Sequence, residues 1–255
     1  MERLTIKNKQ DERLVGVLHG TISGGKLAIV CHGLADTKEN PILIAICEAL
    51  AANDIPSFRF DFSGNGDSEG EFSEATYHKE RDDLQAVLDW FGNTRVREFL
   101  LIGHSMGGGV IRAVGAQDSR VKALISLAGV ARAELFKQKF PEEYAAARAG
   151  ETIFFGEERF GKRFPLDARY LDSAESIDIM ATAPKIKAPC LCIIGDQDML
   201  MRREHEQERL DALPVGAPKK LVIIPGADHV FNRDEGEDMI EKLLEELIPW
   251  VQKHY

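Results

Sequence analysis

Hydrophobic positions along this chain follow two alternating rhythms. Short continuous apolar runs at 26–31, 55–61, 97–102, 121–129, 190–194 and 220–224 are bounded by glycine or polar residues, as expected of strands covered on both faces. Between them, apolar residues recur every three or four positions. Ile42, Leu43, Ala45, Ile46, Ala49 and Leu50 predict a helix over 39–52, with Pro41 tolerable in its first turn. Leu84, Val87, Leu88 and Phe91 predict another over 74–91, whose polar part takes Glu80, Arg81, Asp82 and Asp83. Further helices are expected after Gly108, over 202–213, and over 236–253 with Met239, Leu243, Leu244, Leu247 and Val251 inward. Two β-rich segments at 4–8 and 13–18 read as an antiparallel hairpin at a sheet edge. Strand and helix in alternation predict an α/β protein with a mostly parallel central sheet and helices on both faces.

The alternation breaks between strands 121–129 and 190–194. Residues 131–187 are therefore expected to form a cap or lid insertion in a core made of 1–130 and 188–255. The insertion carries Phe136, Phe140, Tyr144, Phe154, Phe155, Phe160, Phe164 and Tyr170, interleaved with charges such as Glu157, Arg159 and Lys162. These aromatics suit two roles: lining an acyl or aryl pocket, or anchoring the insertion to the body.

Composition narrows the class. With 255 residues and 44% hydrophobic content the chain can bury a large core, and its net charge of -10, with no basic block, argues against nucleic acid or an anionic membrane as partner. Residues 1–8 lack an apolar signal core and no run approaches a membrane span, so a cytoplasmic enzyme acting on a small molecule is expected, as a monomer or a homodimer. Cys31, Cys47, Cys190 and Cys192 lie in apolar segments without zinc-site spacing, so neither metal nor organic cofactor is implied. The glycine-bearing loop at 62–72 lacks the full G-x-G-x-x-G pattern and a P-loop lysine, and reads as a tight turn rather than a phosphate site.

Candidate chemistry centres on Gly103-His104-Ser105-Met106-Gly107. The G-x-S-x-G form, between a strand and a helix, is that of a nucleophile elbow presenting Ser105. A serine hydroxyl needs a base in hydrogen-bond reach and a carboxylate to orient that base. Of 7 histidines, His229 alone lies in a loop directly after a late strand, where parallel sheets place ligands. His104 should point away from the catalytic side of Ser105. The carboxylate is expected from the end of the preceding strand, as Asp196 or Asp198. Two backbone donors for an oxyanion are expected at Met106 and in the His32-Gly33-Leu34 turn, where the Leu34 N–H can face the site.

Taken with Arg59-Phe60-Asp61, Gly64-Asn65-Gly66-Asp67-Ser68, Gly195-Asp196-Gln197-Asp198 and Gly226-Ala227-Asp228-His229, these motifs resemble the α/β-hydrolase superfamily over essentially the whole chain. Within it, the chain looks most like small intracellular esterases that include the bacterial feruloyl (cinnamoyl) esterases. That resemblance implies the α/β-hydrolase fold, a Ser105–His229–Asp198 triad, Leu34 and Met106 as the oxyanion hole, and cleavage of carboxylic esters. Thioesterases, acyltransferases and small serine peptidases use the same triad, and a non-catalytic binding module on the scaffold is the reading from another class. The chain departs from many relatives after the acid, with Met199-Leu200-Met201-Arg202 in place of valine and another small apolar residue. No residue of the insertion matches a hydroxycinnamate-binding position, so the resemblance does not extend to feruloyl specificity.

Overall fold

The computed structural model describes residues 1–130, 134–155, 163–177, 179–234 and 236–255. Eight strands form the main sheet: β1 (Glu2–Lys7), β2 (Arg13–His19), β3 (Lys26–Cys31), β4 (Ser57–Phe60), β5 (Glu98–His104), β6 (Val121–Leu127), β9 (Cys190–Gly195) and β10 (Lys219–Ile224). Their spatial order is β1-β2-β4-β3-β5-β6-β9-β10. The pairs β1–β2 and β2–β4 are antiparallel and all others parallel, so the expected hairpin does occupy one edge.

Alternate side chains of each strand face opposite sides, so each central strand feeds two apolar layers. On one side Ala28, Val30, Leu100, Ile102 and Ile125 pack with helices α1 (Pro41–Ala52) and α9 (Ile240–His254). On the other, Leu27, Ile29, Cys31, Phe99 and Leu101 pack with α2 (Tyr77–Gly92), α3 (Met106–Gly115) and α8 (Arg203–Asp211). The continuous apolar runs in the sequence follow from this double coverage.

Two helices differ from the sequence reading. In α2, Thr76 caps the N-terminus by accepting from the Lys79 N–H, and residues Phe72–Glu74 form a separate 3-10 turn. Glu80 and Asp83, assigned to the polar part, are 1% and 0% exposed. Position 80 precedes Leu84 by four and position 83 precedes Val87 by four, so helical geometry places both on the apolar face. Asp83 accepts hydrogen bonds from Asn8 Nδ2 at 2.7 Å, the Ser63 N–H at 2.9 Å and the Ser63 hydroxyl at 2.7 Å. Burial, together with the neighbouring Asp83, raises the Glu80 carboxyl well above its ordinary range. The last helix starts at Ile240 rather than 236, where the Asp238 carboxylate takes the Ile240 N–H at 2.8 Å. Leu244 is half-buried there and Trp250 is buried.

Between β6 and β9 the chain forms α4 (Glu134–Lys139), α5 (Pro141–Arg148), the antiparallel pair β7 (Ile153–Phe155) and β8 (Phe164–Leu166), α6 (Ala168–Ser176) and α7 (Ile179–Thr182). Phe136 packs against the rings of Phe140, Phe155 and Tyr170 at 5.3, 5.4 and 5.7 Å. Two further contacts tie the segment to the body: Phe164 to Phe72 at 4.7 Å, and the Tyr77 N–H to the Ser173 hydroxyl at 3.1 Å. Phe160, with Glu157, Arg159 and Lys162, lies outside the described residues.

Candidate active site

Strand β5 ends in a turn too sharp for ordinary backbone. Ser105 sits at φ 52°, ψ −118° as the N-cap of α3, a conformation costly for a residue with a Cβ. Its N–H donates to Leu127 O, and its carbonyl accepts from the N–H groups of Gly108 and Val130, so three segments hold the turn. Close approach explains the flanking glycines. A Cβ on Gly107 would lie 2.4 Å from the His32 carbonyl oxygen, and one on Gly103 2.4 Å from that of Gly107.

The loop after β10 brings His229 to this turn. Asp228 accepts from the N–H groups of Val230 and Asn232 at 2.9 and 2.7 Å, curling the loop back on itself. His229 Nε2 lies 3.0 Å from Ser105 Oγ, and Nδ1 lies 2.9 Å from Asp198 Oδ2. With Nδ1–H donated to the carboxylate, Nε2 is the lone-pair nitrogen that accepts from the hydroxyl.

Of the two loop aspartates, Asp198 reaches the histidine and Asp196 does not. The Asp198 side chain is fully buried, and its Oδ1 accepts from the N–H groups of Leu200 and Met201 at 2.8 Å each. The Met199-Leu200-Met201 stretch that departs from the family pattern thus supplies two amides that fix the carboxylate. Asp196 instead accepts from the Gly226 N–H at 2.7 Å, joining the loop after β9 to the loop after β10.

Leu34 follows β3, and Met106 opens α3. Among the described residues, no acceptor takes the backbone N–H of either. The Leu34 turn is held from behind by His32, whose Nδ1–H donates to Gly33 O at 2.7 Å while Nε2 accepts from the Phe62 N–H at 3.0 Å. Further along, buried Lys38 donates from Nζ to Asp61 at 2.8 Å and Asp67 at 2.7 Å, and Asp61 also accepts from the Lys38 and Asp67 N–H groups. The Lys38 ammonium holds the Asp67 carboxyl below its ordinary range. The loop at 62–72 is therefore organised around an internal carboxylate, with Gly64 and Gly66 at positive φ.

His104 does not sit in inert core. Its Nε2–H donates to the His229 backbone oxygen at 2.9 Å, and the two imidazole rings stand 5.2 Å apart. Burial, then the charge of His229 beside it, pushes the His104 pKa down to about 4, so the ring is neutral near pH 7. His32, His104 and Lys38 are site supports that the sequence reading missed. For the two histidines the available signal was a polar residue at the end of an otherwise apolar strand; Lys38, in the loop beyond β3, carried none.

Similarity to known proteins agrees with this fold. A family model described as alpha/beta hydrolase family matches residues 28–242. The structure of Est1E from Butyrivibrio proteoclasticus with ferulic acid bound superposes with a TM-score of 0.79 at 24% identity, covering 98% of each chain. Mouse alpha/beta hydrolase domain-containing protein 10 superposes with a TM-score of 0.80 at 20% identity, covering 99% of each. An uncharacterized 31.7 kDa protein of the traX-finO intergenic region of Escherichia coli is 24% identical over 266 residues, 89% of this chain and 91% of that protein.

Proposed function

Since the chain belongs to the alpha/beta hydrolase family, we propose that it is a serine hydrolase cleaving carboxylic esters through an acyl-enzyme on Ser105. The supporting observation is the continuous line Ser105 Oγ to His229 Nε2 at 3.0 Å and His229 Nδ1 to Asp198 Oδ2 at 2.9 Å. His229 takes the hydroxyl proton as Ser105 attacks the acyl carbon, then returns it to the leaving alcohol. Asp198 holds the imidazole in the required tautomer and stabilises the imidazolium. The negative oxygen that develops on the carbonyl is received by the Leu34 and Met106 N–H groups; each such donor contributes about 3 kcal/mol to lowering the barrier. Water activated by His229 then releases the acid.

Residues 131–187 lie between two strands that end beside Ser105 and Asp198, and we read them as a cap over the acyl site. Est1E was solved with ferulic acid bound, which makes aryl and hydroxycinnamoyl esters the first substrates to test. A cytoplasmic setting suits four buried cysteines, all unpaired. Among the described residues, no helix is long and apolar enough to cross a membrane.

A fluorophosphonate probe should label the wild-type protein, and Ser105→Ala should lose both labelling and turnover of 4-nitrophenyl acetate. Labelling of Ser105→Ala at the wild-type level would sink the assignment. Parallel rates on aryl esters, acyl-CoA thioesters and aminoacyl amides separate an esterase from a thioesterase or peptidase. A well-folded protein inert on all three would be a binding module.

A further inference from the structure

Helices α3 and α8 are joined by buried charges as well as by the apolar layer they share. Arg112 on α3 is 5% exposed, and Glu206 and Arg209 on α8 are 1% and 2% exposed. Arg112 Nη2 donates to Glu206 Oε2 at 2.9 Å and contacts Cys192 Sγ at 3.4 Å. Arg209 pairs with the same carboxylate and donates from Nη1 to Val130 O at 3.3 Å. Two guanidinium groups thus share one carboxylate, away from water. A buried charge without a counter-charge is costly, and among the described residues Arg112, Arg209 and Glu206 together carry one positive charge in excess.

Beside the ion pairs lies a cavity of about 10 Å³, room for one species of roughly the size of a water molecule. Arg112, Arg209, Ser126, Cys190 and Cys192 supply its polar lining, and Glu206 is not part of it. Among the described residues, Arg112 Nη1, Arg209 Nε, the Ser126 hydroxyl and, outside the lining, Glu206 Oε1 are buried without a hydrogen-bond partner. Burial keeps the Cys190 thiol protonated, with its pKa pushed up to about 11. The polar side chains that line the space are two arginines, a serine and two cysteines, with no carboxylate among them. Gly129 keeps the space open, since a Cβ there would stand 2.0 Å from Ser126 Oγ and 3.2 Å from Arg112 Nη1.

We propose that this cavity is a buried site for a single small monovalent anion, chloride in solution, held by Arg112, Arg209 and Ser126 between α3 and α8. The anion cancels the excess charge and accepts from donors that otherwise have no acceptor. Its position gives it a structural role at the active site without contact with substrate. Helix α3 begins at Ser105, α8 follows the Asp198 loop, and Val130, which takes a bond from Arg209, itself donates to the Ser105 carbonyl. Occupancy consolidates these three segments in one packed unit.

Two measurements on the full chain test the site. At fixed ionic strength, Tm in chloride should exceed Tm in gluconate, which is too large for the cavity, by about 3–5 °C once the halide is well above its dissociation constant. Ser126→Ala, which leaves both ion pairs in place, should lose at least half of that difference. Crystals grown in bromide should show one anomalous peak between Arg112 and Arg209. Equal Tm in the two salts, or a cavity holding only water in the bromide crystals, would overturn the proposal.

Discussion

Two aspartates stand two positions apart in the loop after β9, and their carboxylates have different partners. Asp198 is turned inward by the N–H groups of Leu200 and Met201 and meets His229, whereas Asp196 ties down Gly226. Asp198→Asn keeps an oxygen for those amides but presents a donor or a neutral acceptor to Nδ1, so kcat on 4-nitrophenyl acetate should fall by about 10³–10⁴-fold with little change in KM. Asp196→Ala should leave kcat within about threefold and lower stability by less than about 1 kcal/mol, the worth of one exposed hydrogen bond. Counting residues from the strand end did not separate the two, because either lies within reach. The choice is made by the turn at 195–198 and by amides that come after it. The strained turn at Ser105 was legible for the opposite reason: G-x-S-x-G encodes its own backbone strain in five neighbouring residues.

At the level of elements, the same contrast recurs. The strands were legible because burial on both faces leaves continuous apolar runs, and β3, β5 and β9 appear in the structure within a residue or two of those runs. The phase of α2 was not, since Glu80 and Asp83 look like surface charges until the fold buries both and brings Asn8 and Ser63 to Asp83. Helix α8 is a stronger case. Its charged sequence gives no sign that Glu206 and Arg209 are buried, because the matching charge on Arg112 lies 94 residues away from Glu206. The packing of the elbow against β3 is open to a direct check. Gly107→Ala forces a methyl group against the His32 carbonyl, a contact with backbone that cannot rotate aside, so the variant should lose about 3 kcal/mol or more of stability by urea unfolding.

For the molecule as a whole, strand–helix alternation conveyed a parallel sheet, and the right-handed crossover rule then permits β3 to sit between β4 and β5. It conveyed nothing of how 134–155 and 163–177 fold, since ring-on-ring contacts such as Phe136 with Tyr170 join positions with no shared period. Global stability carries a pH signature from His104. Its pKa falls from the ordinary 6.5 to about 4 on folding, so above pH 6.5 the group is neutral in both states and its contribution is fully present. Below that, the unfolded chain binds a proton that the folded chain refuses, and up to about 3 kcal/mol is lost as pH falls toward 4. His104→Gln, which retains a donor for the His229 carbonyl, should flatten the drop in Tm between pH 6.5 and 4 relative to wild type. An unchanged slope would assign the acid sensitivity to other groups.

The left-handed backbone at Ser105 has a cost that falls on the fold and, on the proposed function, a benefit that falls on chemistry. Glycine occupies that conformation freely, so Ser105→Gly should raise Tm by about 2–4 °C while abolishing turnover. That outcome would mean that thermal resilience and the proposed catalysis pull in opposite directions at one residue.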